Sequence, residues 1–215
     1  MNLVRKTDAG GPALPERLER QLAFLRELDR LKAVQRRTSL IDRSRLENSA
    51  EHSWHVASMA ITLGEYAPPG TDVPRAVEML LVHDVVEIDA GDTFAFDAGA
   101  NAGKAERETA AAQRLFGLLP EDIGSRLREY WDEFEAGASP TARFANALDR
   151  LQGLLQNDSA GDGGTWRIHG IRCSQVLARM APIERGAPIL WPVVLAAVER
   201  AVRAGHIADD CGSLS

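Results

Sequence analysis

Residues 80–92 read Leu-Leu-Val-His-Asp-Val-Val-Glu-Ile-Asp-Ala-Gly-Asp. An apolar helical run rarely holds His, Asp and Glu within about one turn unless something offsets the cost of burying them. Coordination of a metal is one standard solution. On a helix His83 and Glu87 stand four residues apart and share a face. Asp84 is turned by roughly 100° from His83, so the two can bracket one ion from the same turn. The pattern predicts one helix from a cap at Asp72 to about Gly91, with Val77, Leu80, Leu81 and Val85 facing inward. Asp92 falls just past its end, where a loop can bring it back over the site.

The same period dominates on both sides. Leu18, Leu22, Leu25, Leu28 and Leu31 recur at three- and four-residue steps and predict an amphipathic helix over 16–34. Asn48-Ser49-Ala50-Glu51 reads as a capping box opening a helix over 48–66, which Pro68-Pro69-Gly70 stops. After a loop at 91–101, helices are predicted at 103–118, 120–136 and 140–157, the last capped by Ser139 with Pro140 in its first turn. Gly-Asp-Gly-Gly-Thr-Trp (161–166) is a glycine-rich break, followed by helices at 172–181 and 188–204. No segment shows two-residue alternation, so the expected fold is all-α.

Two further helices carry candidate ligands. Glu51-His52-Ser53-Trp54-His55 places His52 in the first turns of the 48–66 helix. Phe144, Leu148, Leu151 and Leu155 define a buried face of the 140–157 helix, and Asp149 sits at its edge. Taken alone, such an Asp is more often salt-bridged or solvated than a ligand.

The order His…His-Asp…Asp changes that reading, because with helices around it the chain resembles the HD-domain superfamily. Residues 36–53 (Arg-Arg-Thr-Ser-Leu-Ile-Asp-Arg-Ser-Arg-Leu-Glu-Asn-Ser-Ala-Glu-His-Ser), 82–92 and Ala147-Leu148-Asp149-Arg150-Leu151 are similar to the HD-domain 5′-deoxynucleotidases. The similarity spans about residues 20–157. It implies a helical bundle around a single divalent metal held by His52, His83, Asp84 and Asp149. It further implies that Glu87 positions or protonates groups during water attack, that Asp92 accepts a hydrogen bond from the sugar 3′-hydroxyl, and that Arg37 clamps the 5′-phosphate. A forked guanidinium suits that last task. Where one branch of the family has tryptophan after the arginine, this chain has Thr38 and resembles another branch. Mixed imidazole and carboxylate ligands suit Mn²⁺, Fe²⁺, Co²⁺ or Zn²⁺.

Stringent-response hydrolases are set aside, because Ile88 rather than an acid follows Glu87; the glycine-tyrosine-proline motif of cyclic-dinucleotide phosphodiesterases is absent. The expected activity is hydrolysis of deoxynucleoside 5′-monophosphates. The alternatives are a different small phosphorylated metabolite, or a module that binds nucleotide without turnover.

The remaining features have plainer readings. His55 reads as a packing or supporting residue, and Glu47 and Glu51 as charges at a helix start. Arg45 and Asn48 fit a phosphate contact and a surface role equally. Trp54, Trp131 and Trp191 read as core or interface. Trp166 and His169 are structural by default, with a loop folded over the pocket as the alternative. A chain of 215 residues suits one domain: a metal-binding core at about 20–157 with C-terminal helices at about 165–205 packed on it. The net charge of −6 argues against a nucleic-acid polymer or a membrane surface as partner. Cys173 and Cys211 form no C-x-x-C pair and read as free thiols in a reducing cytosol. The first fifteen residues lack the apolar run of a secretory signal. The expectation is a cytoplasmic homodimer acting on a small molecule.

Overall fold

A computed structural model describes residues 14–94, 96 and 103–212. The first thirteen residues, and much of the expected 91–101 loop, lie outside the described residues. Ten α-helices account for most of what is described: α1 Glu16–Leu28, α2 Ser49–Leu63, α3 Val73–Val82, α4 Glu87–Ala90, α5 Lys104–Phe116, α6 Glu121–Ala136, α7 Pro140–Ser159, α8 Gly164–Ile168, α9 Cys173–Gly186 and α10 Trp191–Arg203. The all-α expectation holds, and no described helix is long and apolar enough to cross a membrane.

The axis of the bundle is α7, which packs against α2, α3, α6, α9 and α10. Its Phe144, Ala147, Leu148, Leu151 and Leu154 are almost fully buried. Burial of one such leucine or phenylalanine is worth roughly 1.5–3 kcal/mol. Helix α9 lies very close to it, because Gly186 sits against the carbonyl of Arg143 where any Cβ would collide. This helix outruns its expected end at 181, continuing through Pro182 to bury Ile183. A second core joins Phe24, Leu31, Val85, Val86, Ile88, Leu115 and Trp131.

The single helix expected over 72–91 is in fact two. His83 Nδ1 bonds to the carbonyl of Leu80 at 2.8 Å, the acceptor that a continuing α-helix would offer to residue 84. Tighter three-residue bonds follow, Val85 N–H to Val82 O (3.1 Å) and Glu87 N–H to Asp84 O (3.0 Å). The break turns Val85, Val86 and Ile88 into the second core while His83 stays beside the first. Asn48 and Glu51 form the expected capping box, and Ser139 caps α7 through Ala142 N–H.

Two features depart further from expectation. Gln35–Ser39 (β1) and Leu46–Asn48 (β2) pair as an antiparallel hairpin, with Gln35 opposite Asn48 and Ser39 opposite Leu46. Both faces of this ribbon carry polar residues, so it has no apolar alternation to read. Cys173 and Cys211 form a disulfide rather than remaining free thiols. The tail is folded back onto α9: Cys173 N–H donates to Ala208 O (2.9 Å), and Ser174 donates from N–H and Oγ to Asp210 (2.8 and 2.6 Å).

Candidate metal centre

His52 from α2, His83 and Asp84 from the break after α3, and Asp149 from α7 converge. His52 Nε2 lies 3.0 Å from Asp149 Oδ1 and 3.8 Å from Asp84 Oδ2. His83 Nε2 lies 3.1 Å from Asp84 Oδ1 and 4.0 Å from Asp149 Oδ1. One ligand atom from each of His52, His83 and Asp149 fits within 4.8 Å of the others.

The supporting hydrogen bonds set the tautomers. Gln152 donates through Nε2 to Glu47 Oε1 at 2.6 Å, so its carbonyl oxygen faces His52 Nδ1 at 3.1 Å. His52 Nδ1 therefore carries the proton, and Nε2 turns toward Asp149. Likewise His83 Nδ1 donates to Leu80 O, which leaves its buried Nε2 without a hydrogen-bond partner. An imidazole Nε2 aimed at a carboxylate needs a positive charge between them: a metal ion at either ring or, at His52, a second ring proton. Outer-shell bonds that fix a ring this way are the usual support of a metal site, and the donor set fits a divalent ion.

Electrostatics make the same demand. Burial and the Arg36 charge lower the pKa of His52, but its hydrogen bonds to the Asp149 and Glu47 carboxylates and the charge of Asp84 outweigh both, raising it to about 9. Burial holds His83 below its ordinary value. Burial opposes ionisation of Asp149 as well, yet Arg150 and His52 hold it well below the usual carboxylate range. The site attracts positive charge and keeps one imidazole neutral to bind it.

Glu87 opens α4 and is buried, accepting from Ser49 Oγ at 2.6 Å. Burial first, then the charge of Asp84, push its carboxyl well above the ordinary glutamate value. Asp92 is half-buried and also raised, chiefly by burial. Both line a cavity of about 250 Å³ with His83, Asp84 and Asp149. Phe94 lines it too, and the His169 ring packs on Phe94 at 4.7 Å. Trp166 is buried in the same wall.

Arg37 is exposed on the cavity wall, held through its backbone carbonyl, which accepts from Thr165 Oγ1 at 3.3 Å. Its neighbour Arg36 points the other way along the strand, into the protein, where Nη1 bonds Asp84 Oδ2 at 2.9 Å and Nε lies 3.4 Å from Glu47 Oε2. Sequence reasoning missed Arg36, since only strand alternation separates it from Arg37. It also missed Glu47, which is not a solvated helix-start charge but a buried acceptor for Gln152 and Gln156. Gln152 had one signal: a polar residue three after Asp149 on a buried helical face. His55 Nδ1 lies 3.4 Å from Gln152 Nε2, consistent with a supporting residue. Arg45 pairs with Glu51 and Asn48 caps α2.

The HD domain model matches residues 28–191. The human and bovine 5′-deoxynucleotidases HDDC2 are 34% and 36% identical to the chain over 137 and 138 residues, 63% of this chain in each case. The match spans about 65% of the length of these curated relatives. A crystal structure from Magnetospirillum magnetotacticum MS-1, named a predicted metal-dependent phosphohydrolase, superposes with a TM-score of 0.85 at 48% identity. It covers 90% of this chain and all of that one.

Proposed function

The chain belongs to the HD-domain family, and from that membership we propose that it is a metal-dependent phosphohydrolase whose leading substrates are deoxynucleoside 5′-monophosphates. The observation that carries this reading is the convergence of two imidazole Nε2 atoms, oriented by their own Nδ1 bonds, on Asp84 and Asp149. The names and identities of the relatives supply the substrate class. The C-terminal helices share the α7 core with the helices of the metal centre, which supports one HD domain along the chain.

His52, His83, Asp84 and Asp149 would hold the metal, with Mn²⁺, Co²⁺, Fe²⁺ and Zn²⁺ as candidates. Such an ion supplies Lewis-acid polarisation of the phosphoryl group and acidifies water. Glu87, with its raised proton affinity, moves a proton between the attacking water and the departing sugar oxygen. Arg37 reaches the 5′-phosphate from β1, and Asp92 accepts from the sugar 3′-hydroxyl. The Phe94 ring, backed by His169, offers a flat apolar face for the base.

Phosphate release from paired 2′-deoxy and ribo 5′-monophosphates, with Mn²⁺, Co²⁺, Zn²⁺ or EDTA, tests the reading. Metal-dependent release favouring the deoxy set is expected. Release confined to non-nucleotide esters would move the activity to another phosphorylated metabolite. Nucleotide binding without release under any metal would leave only a binding module.

The expected homodimer has physical support in α1–α3. Trp54 is 66% exposed and lines a shallow groove with Leu25 and Leu81, and Ile61 lies two turns along α2 at 71% exposure. Large apolar side chains exposed together mark interaction surfaces. Light scattering is expected to give twice the 23.4 kDa chain mass, and Trp54→Glu to give the monomer. A monomeric wild type would refute the dimer.

A further inference from the structure

Four guanidinium groups line the cavity: Arg37 is exposed on its wall, Arg36 and Arg150 have carboxylate partners, and Arg179 is the fourth. Arg36 bonds Asp84, and Arg150 bonds Asp149 through Nη1. Arg179, from α9, lines the same cavity and is half-buried, yet makes no hydrogen bond or ion pair with any described residue. Repulsion from Arg150 acts on it most strongly among the charges, followed by attraction from Asp149, repulsion from Arg36 and attraction from Asp92. Burial first, then Arg150, bring its pKa down to about 10. A guanidinium partly withdrawn from water beside two like charges is costly without an anion. None of the carboxylates lining the cavity among the described residues (Asp84, Glu87, Asp92, Glu108, Glu135 and Asp149) pairs with Arg179.

We propose that Arg179 is a substrate-binding residue that reaches from α9 to hold the phosphoryl oxygens. A phosphomonoester at neutral pH is a dianion whose oxygens match forked N–H donors. Arg37 approaches from β1 and Arg179 from α9, so two separate elements enclose the phosphate. Helix α9 lies beyond the segment that resembles the deoxynucleotidases in sequence. It is brought to the site by its close packing on α7, with Gly186 in contact with the carbonyl of Arg143.

The proposal rests on the phosphohydrolase reading but not on the nucleotide being the substrate. Inorganic phosphate and deoxyadenosine are titrated separately by calorimetry into the full chain, with and without Mn²⁺, for wild type, Arg179→Met and Arg179→Lys. Arg179→Met is expected to weaken phosphate binding about 10- to 100-fold. Arg179→Lys should restore part of that loss, and deoxyadenosine binding should stay within twofold. Unchanged phosphate affinity in Arg179→Met overturns the proposal. So does equal weakening toward both probes in both variants, which marks a structural role, or a wild type that binds no phosphate. Arg179-dependent phosphate binding without phosphate release from any deoxynucleotide leaves Arg179 in place and removes the nucleotidase reading.

Discussion

Replacing Asp149 by alanine is expected to lower metal-dependent phosphate release by about three orders of magnitude or more. A bound metal stabilises transition-state charge by several kcal/mol, and each 1.36 kcal/mol is tenfold in rate. Asp149 is the common point of the centre: the same Oδ1 lies 3.0 Å from His52 Nε2 and 4.0 Å from His83 Nε2. Its other oxygen meets Arg150. Removing the carboxylate would delete a proposed ligand and also leave Arg150 without this partner. Asp149→Asn keeps the shape and removes only the charge, so it should lose metal while keeping the fold. Metal content by elemental analysis and urea midpoints in EDTA separate the two effects. Activity within tenfold of wild type at saturating metal would remove Asp149 from the centre.

Glu87→Gln is expected to reduce kcat by about 10²- to 10⁴-fold, the span of a lost general acid–base, with metal content unchanged. The amide can still accept from Ser49 Oγ, which now reaches Glu87 Oε2 at 2.6 Å, so the first turn of α2 should stay in place. A second, opposite effect follows from the raised carboxyl. The native state binds this proton more tightly than the unfolded chain, whose ordinary value is 4.5. That contribution to stability is complete below 4.5 and is lost as pH rises through the native value. In EDTA at neutral pH, Glu87→Gln should therefore match or exceed wild type in stability, with the advantage vanishing below pH 4.5. A variant less stable at neutral pH with unaltered kcat would contradict both roles.

The longer helices and the capped starts of α2 and α7 were legible because they depend on neighbours in sequence. Asn48 and Ser139 cap by bonding N–H groups three residues on, and the buried face of α7 follows from spacing alone. The break after α3 was not legible, because it depends on which partner His83 Nδ1 takes. The hairpin was missed because its residues are polar on both faces, so their pairing, not their pattern, makes the strands. The disulfide joins positions 38 apart, a closure that the fold-back of the tail creates.

Sequence by itself determined the helical class, and its order of His, His-Asp and Asp, through the resemblance to the HD-domain superfamily, pointed to four residues that the fold brings together. Tertiary structure decided which groups surround them. Gln152 orients His52 from α7, Glu47 is drawn inside from β2, Arg36 turns inward where Arg37 turns out, and Arg179 arrives on α9. Each of these depends on burial and on partners distant in the chain. An arginine on an exposed helix and an arginine facing a metal centre are the same letter until the packing sets their dielectric and their neighbours.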